Sequence, residues 1–228
     1  PCHTYLLHPP GGIVGGDRLQ IDVRVEPGAH GVVTTPAANK FYRSAGPMAE
    51  QRHFLTVAAG GVLEWLPQEQ IAFDAARARS ATRVDLAEGA AFIGWELTCL
   101  GRPAAGEGFG RGRFHTAFEL WRGGRPLAIE RNRLAGEAML GGAWGLGGAP
   151  CTFTLMAVDA GDTALASARA VLDESTDRAA ATLMDDVLAV RWLGDGAERG
   201  RDLLERLWRE LRPVLLSRPA HAPRIWRT

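Results

Sequence analysis

Residues 53–66 decide the fold, and they read His-Phe-Leu-Thr-Val-Ala-Ala-Gly-Gly-Val-Leu-Glu-Trp-Leu. Two β-type runs flank a turn of small residues, and the alternation of apolar and polar side chains is typical of half-buried strands. The same unit occurs at 19–35 and at 83–97. Its turn glycines, Gly28, Gly60 and Gly89, follow one another at intervals of 32 and 29 residues. A hairpin-like unit used about three times predicts stacked or coiled β layers.

The rest of the chain extends this pattern and then changes character. Further strands are predicted at 114–121, 126–131, 152–158 and 188–193. One helix is predicted at 163–172, and a second begins after Gly196 with its leucines on one face. Pro213 is expected to disrupt or kink the last turn of that helix. Because no linker is evident, residues 1–228 are predicted to form one mainly β domain with two α-helices toward the C-terminus.

Composition excludes several classes of function. The 26 basic and 26 acidic residues balance, so neither nucleic acid nor a membrane surface is expected as a charge-driven partner. No run approaches the roughly 20 apolar residues of a membrane span. The three cysteines are far apart in the sequence, which fits a reducing, cytoplasmic environment better than a disulfide framework.

Motifs for phosphate binding and for hydrolysis are missing from the sequence. Residues 106–112 alternate glycine without forming G-x-G-x-x-G, and neither a Gly-Lys-Ser/Thr loop nor a G-x-S-x-G elbow occurs. The histidine and cysteine spacing does not indicate a tight zinc site. Cys2, His3 and His8 are weak candidates for transient metal binding, and chance proximity in the sequence is the simpler explanation.

Carboxylates inside apolar strands are the more informative feature. Glu64, Glu96 and Glu130 each have a bulky apolar neighbour, and Asp17 ends a run rich in glycine and proline. A carboxylate in such surroundings is costly unless it is paired, hydrated or bound to a cation. Two interpretations follow: strand alternation turns these groups toward solvent or an arginine, or they line a hydrated passage with oxygen ligands for a cation.

Several blocks of sequence resemble the urease accessory protein family UreD, also called UreH. The first is residues 5–17, Tyr-Leu-Leu-His-Pro-Pro-Gly-Gly-Ile-Val-Gly-Gly-Asp, which is highly specific. The others follow in the family's order to the end of the chain, at 40–44, 63–68, 100–109, 130–131, 211–213 and 224–226. Members of the family usually carry a few dozen residues before the first block, so an N-terminal segment is expected to be missing here.

The resemblance implies a scaffold of urease maturation and not an enzyme. Such a protein is expected to bind apo-urease and UreF, which carries the GTPase UreG, and to hold no tightly bound cofactor. Transient nickel is expected to pass through the complex along an internal passage. The implied fold is a long β superhelix with two helices. The passage candidates are Asp17, Glu64, Glu96, Glu107 and Glu130.

Partner contacts are expected at two places. Tyr42 and Arg43 lie in a polar and aromatic loop, and both residue types are frequent anchors at interfaces. Trp208 and Trp226 belong to the second helix and the tail, which are expected to contribute to an apolar UreF contact. Two alternatives to the nickel-passage scaffold remain open: a β-rich metallohydrolase, and an interaction module without a role in metal transfer.

Overall fold

The computed structural model describes residues 1–227. Within this range the strands are β1 Cys2–Tyr5, β2 Arg18–Val25, β3 His30–Thr34, β4 Asn39–Phe41, β5 Ala49–Val57, β6 Val62–Leu66, β7 Gln70–Ala72, β8 Arg77–Leu86, β9 Ala91–Leu100, β10 Arg113–Arg122, β11 Arg125–Ala135, β12 Cys151–Ala157, β13 Arg178–Met184 and β14 Val187–Gly194. The α-helices are α1 Glu137–Gly141, α2 Asp162–Asp173 and α3 Ala197–Leu216. Short 3₁₀ turns cover Pro103–Ala105 and Arg224–Arg227.

The strands form two sheets that the chain visits in turn. Sheet A has the order β1-β3-β6-β9-β12-β14-β13, with β7 beside the second half of β9 and β4 beside β7. Sheet B has the order β11-β10-β8-β5-β2. The chain passes from sheet B to sheet A at β2–β3, at β5–β6 and at β8–β9, so it winds through about three stacked coils, as in a β-solenoid. The predicted mainly β, coiled architecture is confirmed.

The intervals between the turn glycines equal the sequence offset between paired residues of neighbouring coils. Parallel pairing joins Arg18 to Glu50 and His30 to Val62, partners that are 32 residues apart. The next coil pairs Val62 with Ala91, 29 residues further on. The turn glycines have φ values of +71°, +69° and +73° and stack at one corner, where the Gly60 amide donates to the Gly89 carbonyl at 3.1 Å. Left-handed φ favours glycine at these positions.

One detail of the predicted unit is wrong. The two strands that flank each turn do not pair as a hairpin, because they belong to different sheets. Each strand pairs in parallel with its counterpart in the next coil, and the turn is a corner between sheets. Antiparallel pairing occurs between β10 and β11, and among β9, β12, β14 and β13.

The two predicted helices are present and cover the outer face of sheet A. The buried stripe of α3, which includes Leu203, Leu207 and Leu211, packs with the buried residues of α2 against strands β9, β12 and β14. Pro213 does not end α3, which continues to Leu216. The five-residue α1 was not predicted. Among residues 1–227, no helix combines the length and apolar character that a membrane crossing requires.

The space between the two sheets holds two separate apolar clusters. The first lies beside the glycine corner and includes Leu55, Val84 and Phe92. The second lies toward the opposite ends of the strands and includes Phe41 and Phe114. Between the two clusters the inward side chains are polar, and this interruption of the core is the most distinctive feature of the fold.

Candidate functional site: a polar band between the sheets

The polar interruption recurs on consecutive strands of sheet B. On β5 the inward residues Gln51 and His53 lie between apolar neighbours, and on β8 Ser80 and Thr82 do the same. The register aligns them, because Gln51 pairs with Ser80 and His53 pairs with Thr82. Since side chains alternate across a strand, such a pattern places polar groups in one row from coil to coil.

The same row continues around the interior. Across β10 and β11, Ser80 is aligned with Thr116 and Asn132. On sheet A, Glu96 of β9 lies opposite Thr154 of β12. The complete set, called the polar band below, is Asn39, Gln51, His53, Gln70, Ser80, Thr82, Glu96, Thr98, Thr116, Glu130, Asn132, Thr152 and Thr154.

A directional hydrogen-bond chain connects one part of the band. The Gln51 amide nitrogen lies 2.7 Å from His53 Nε2, and His53 Nδ1 lies 2.7 Å from Thr82 Oγ1. Thr82 Oγ1 in turn donates to Glu96 Oε1 at 2.6 Å. The Gln51 oxygen accepts from the side-chain amide of Asn39, which leaves the Gln51 nitrogen as donor and assigns the His53 proton to Nδ1. Burial lowers the pKa of His53 to about 4, so the imidazole is neutral at pH 7.

Glu96 is the acceptor on which these donors converge. Besides Thr82, Gln70 donates to it at 2.6 Å and the Trp65 indole at 3.1 Å. Burial raises the pKa of Glu96, and the hydrogen bonds from Thr82 and Trp65 oppose this only in part, so the pKa lies at about 7. Glu96 is therefore a carboxyl group that exchanges its proton near neutral pH.

Glu130 lies further along the band, toward its other end. It accepts from Thr154 Oγ1 at 2.5 Å and from Arg191 Nε at 2.7 Å. Its side chain is partly exposed, and the partner guanidinium of Arg191 is about half exposed. Glu130 is thus a hydrated, charge-paired carboxylate, whereas Glu96 is half-buried and accepts from the neutral donors Thr82, Gln70 and Trp65.

Cavities lie at both ends of the band and within it. An open cleft of about 760 Å³ contains Asn39 and Gln51, together with His8. A second cleft of about 760 Å³ contains Glu130 and Asn132 at the other end. Between the clefts is a small cavity of about 30 Å³ lined by band residues from both sheets, including Glu96 and Glu130. A polar space of this size holds roughly one or two water molecules.

Three of the five predicted passage carboxylates lie away from the band. Asp17 accepts from the Val14 amide within its own turn at the surface. Glu107 forms a surface ion pair with Arg102. Glu64 is fully buried, but it lies on the opposite face of sheet A, beneath α3. The structure brings together only Glu96 and Glu130.

Glu64 is the centre of a buried ion pair. Arg212 of α3 donates to both of its oxygens at 2.8–3.0 Å, and the indole of Trp208 donates at 2.7 Å. His30 Nε2 lies 2.7 Å from the same carboxylate. Burial by itself would raise the pKa of Glu64, but the hydrogen bonds from His30, Arg212 and Trp208, together with the charge of Arg212, outweigh it and lower the pKa to about 2. This cluster fastens α3 to sheet A.

The predicted contact residues differ in their accessibility. Trp208 is 1% exposed and packs in the core, so it offers no surface to a partner and its assignment as a contact is corrected. Trp226 is half-buried, against the rings of Trp95 and Trp208. Tyr42 stacks edge-on with Phe73 and is half-buried. Arg43 is exposed.

The predicted weak metal ligands lie at the surface near the first strand. Cys2 and His3 are exposed neighbours on β1, so their side chains point to opposite faces of that strand. His8 lies in the cleft beside Asn39. Among the side chains that the structure describes, no three His, Cys, Asp or Glu residues come together as a metal-binding group. What the band offers a cation is a succession of single oxygen and nitrogen ligands.

His53, Gln51, Thr82 and Gln70 are members of the site that the sequence analysis missed. A signal for the first two was present: on β5, polar residues occupy two consecutive positions of the same inward series as Leu55 and Val57. Two polar residues at the alternate positions that otherwise hold buried apolar side chains indicate that the polar groups are buried as well.

The fold and this interior define a class, a solenoid-like β protein with a polar band inside an apolar core.

A family model described as UreD urease accessory protein matches residues 1–227, and the chain belongs to that family. Three proteins named urease accessory protein UreD are similar along its whole length. That of Alcanivorax borkumensis is 45% identical over 229 residues, covering 100% of this chain and 78% of the relative. That of Pseudomonas putida strain W619 is 44% identical, covering 100% and 81%. That of Azoarcus sp. strain BH72 is 46% identical, covering 100% and 80%. Membership in this family gives the chain a role in urease maturation.

Proposed function

We propose that this chain is a scaffold that binds apo-urease and UreF, and UreG through UreF, and that Ni²⁺ moves along its polar band toward urease. The observation that carries the proposal is the band itself, which lies between two apolar clusters and has an open cleft at either end. We place this function in the cytoplasm, where free thiols such as those of Cys99 and Cys151 stay reduced.

The cost of the band supports a functional role. Polar groups in an apolar interior need partners, and replacing them with apolar side chains of similar shape is often neutral or stabilising. A solenoid of this size could therefore close its core with apolar residues at these positions. A row of polar side chains across successive coils, with room for water beside Glu96, favours transport through the interior.

The ligand chemistry suits transit better than storage. A neutral imidazole and a carboxylate, such as His53 and Glu96, are both acceptable ligands for a divalent first-row metal. A cation at His53 Nε2 would take the place of the Gln51 amide, which donates to that nitrogen in this structure. Because the band presents such groups singly, each contact is weak, and conduction requires sites that bind a cation without retaining it. Of the predicted carboxylates, this proposal keeps Glu96 and Glu130 and adds His53.

A maturation assay tests the passage. The double variant Glu96→Gln/Glu130→Gln, as the sole UreD-type protein in cells that produce urease and its other accessory proteins, is expected to lower the nickel content of purified urease several-fold. Complex formation, measured by co-purification, is expected to persist because neither residue lies on an outer face. The matched control Glu26→Gln/Glu88→Gln removes two exposed carboxylates near the glycine corner, outside both the band and α3, and is expected to leave nickel loading unchanged.

Two outcomes would decide against this reading. Fully nickel-loaded urease with the double variant would mean that the band has no part in transfer, and the chain would then act as an interaction module alone. One stoichiometric metal ion that survives chelator treatment of the purified protein would instead favour a metallohydrolase.

A further inference from the structure

The hydrogen-bond chain of the polar band begins and ends at two neighbouring residues. Asn39 donates its side-chain amide to Gln51 at the start of the chain. At its end, Gln70 donates to Glu96 at 2.6 Å. Asn39 and Gln70 are partners in the pairing of β4 with β7, and the backbone amide of Asn39 donates to the Glu69 carbonyl at 2.9 Å. The position of residues 69 and 70 therefore affects both ends of the chain.

Glu69 connects this segment to helix α3. It comes just before Gln70, whose side chain faces the band, so strand alternation turns the Glu69 carboxylate to the other face of sheet A. There Arg201 Nη1, from α3, lies 3.1 and 3.3 Å from its two oxygens and donates to them. The side chain of Glu69 is 8% exposed and that of Arg201 is 41% exposed. Among the side chains that the structure describes, Arg201 is the only hydrogen-bond donor to this buried carboxylate.

Gln70 is sensitive to this position because its side chain is only half satisfied. Its nitrogen donates to Glu96, whereas its oxygen is buried and has no hydrogen-bond partner among the described residues. The side chain lines the small cavity beside Glu96. The terminal torsion of a glutamine is soft, and turning it exchanges the donor for the acceptor. A shift of Glu69 can therefore remove one of the three donors that hold Glu96.

We propose that Arg201 is a positioning residue for the proposed nickel route: through Glu69 it holds Gln70 in the orientation that donates to Glu96. The inference rests on the proposed function, because its expected consequence is a change in nickel transfer. Without the guanidinium a buried carboxylate is left uncompensated, which is costly, and Glu69 relieves that cost by moving toward water. Gln70 moves with it, so the end of the hydrogen-bond chain is displaced although no residue of the band has been replaced.

The first half of the segment has anchors of its own. The Trp95 indole donates to the Pro67 carbonyl at 2.8 Å. The Gln68 backbone amide donates to Thr35 Oγ1 at 2.9 Å. The loss of Arg201, which is partly exposed, is therefore expected to displace residues 69 and 70 and to leave the rest of sheet A in place.

The variant Arg201→Met tests the proposal, because it removes the charge and keeps a long apolar stem. As the sole UreD-type protein in cells that produce urease and its other accessory proteins, it is expected to lower the nickel content of purified urease several-fold. A second readout concerns the band itself, in the purified full chain. The Trp65 indole donates to Glu96 at 3.1 Å, so its resonance in proton–nitrogen correlation NMR spectra is expected to move in the variant. The variant Trp65→Phe assigns that resonance.

Two further variants are controls. Arg201→Lys keeps a cation at the position, and one nitrogen of Arg201 makes both contacts with Glu69. An ammonium group is therefore expected to restore most of the nickel content and the wild-type Trp65 resonance. Arg209→Met removes an arginine from the same helix whose partner, Glu205, also belongs to α3, and it is expected to match the wild type in both readouts.

The outcomes separate this inference from the function on which it rests. If the Trp65 resonance of Arg201→Met stays in place, the positioning role is refuted and the proposed function stands. If the resonance moves and urease is still fully loaded, the passage through Glu96 is refuted, while the link from Arg201 to the band stands. If Arg201→Met no longer co-purifies with its partners, or if folded Arg201→Lys does not restore loading, Arg201 acts by another route and the positioning role is overturned. Thermal melts confirm that each variant is folded.

Discussion

Breaking the buried pair of Glu64 and Arg212 by removing one partner is expected to be among the most destabilising single changes in this chain. The carboxylate is fully buried and the guanidinium nearly so. In the variant Arg212→Leu, Glu64 keeps only Trp208 and His30 as donors. Removing one partner of a buried pair costs about 3–5 kcal/mol, because the other charge is left uncompensated.

The pKa of Glu64 reflects the effect of all its donors together, with His30 the first of those that lower it and Arg212 the second. Lowering it from 4.5 to about 2 corresponds to about 3 kcal/mol of preference for the charged form in the folded state. Because that preference is shared among His30, Arg212 and Trp208, it sets no separate value for Arg212, and the loss expected for Arg212→Leu is that of breaking a buried pair, at its lower end about 3 kcal/mol. For a domain of this size that loss lowers Tm by about 6–12 °C.

Guanidinium chloride unfolding followed by tryptophan fluorescence measures this, since Trp208 and Trp65 are buried. The control is Arg209→Leu on the same helix, whose exposed pair with Glu205 is worth about 0.3–0.5 kcal/mol. The double variant Glu64→Leu/Arg212→Leu is expected to recover much of the loss, because two apolar side chains replace two charges. If Arg212→Leu costs no more than Arg209→Leu, the reasoning about this pair is refuted.

Three further results are expected. Since the pKa of Glu64 is lowered, the stability that its charged form gives the fold is complete above about pH 5 and is lost as pH falls toward about 2. The Tm of Glu64→Gln should therefore fall less steeply with decreasing pH than the Tm of the wild type. Equal slopes in thermal melts would contradict this. Cys99 and Cys151 are opposite one another on antiparallel strands, with their sulfurs 2.9 Å apart. Hydrogen peroxide should therefore oxidise the two thiols to a disulfide, taking up their two hydrogens and becoming water. Thiol titration and intact mass should detect the disulfide, and unchanged thiols would exclude it. A Cβ at Gly94 would lie 2.6 Å from a ring carbon of Phe92. The variant Gly94→Ala should therefore lose about 1–3 kcal/mol of unfolding free energy in the same assay. Wild-type stability of this variant would show that the neighbouring side chains move to accommodate the methyl group.

The sequence could predict the strands of the coils better than their pairing. Alternation and turn glycines mark where each strand ends, but Ala58-Ala59-Gly60-Gly61 serves a hairpin and a corner between sheets equally well. The intervals of 32 and 29 residues carried the missing information, because parallel pairing between coils repeats the same intervals. β13 had no signal, since three alanines give it low strand propensity and pairing with β14 makes it a strand.

The site could be predicted only in part, for a reason that Glu64 and Glu96 show together. Both lie in apolar strands of sheet A, where Glu64 is fully buried and Glu96 is half-buried. Sheet A packs against the helices on one face and against sheet B on the other. The alternation of side chains along a strand therefore shows that two residues point to opposite faces, but it does not show which face packs against sheet B. Glu96 faces the band and Glu64 faces α3. His53 escaped notice for a related reason, because a polar residue in a strand is ordinarily assigned to solvent.

The continuity of the polar band depends on which face of each strand its side chains point to, more than on any one residue. Because the strands alternate, inserting a single residue within β5 would exchange its two faces, turning His53 outward and Phe54 inward. The row would then be broken even though every one of its side chains was still present in the chain. An insertion at a corner or in a loop between coils would leave the phase intact. Tolerance to insertion and deletion along this chain should therefore be uneven, with strand interiors protected and corners free to vary, even where the strands accept many substitutions.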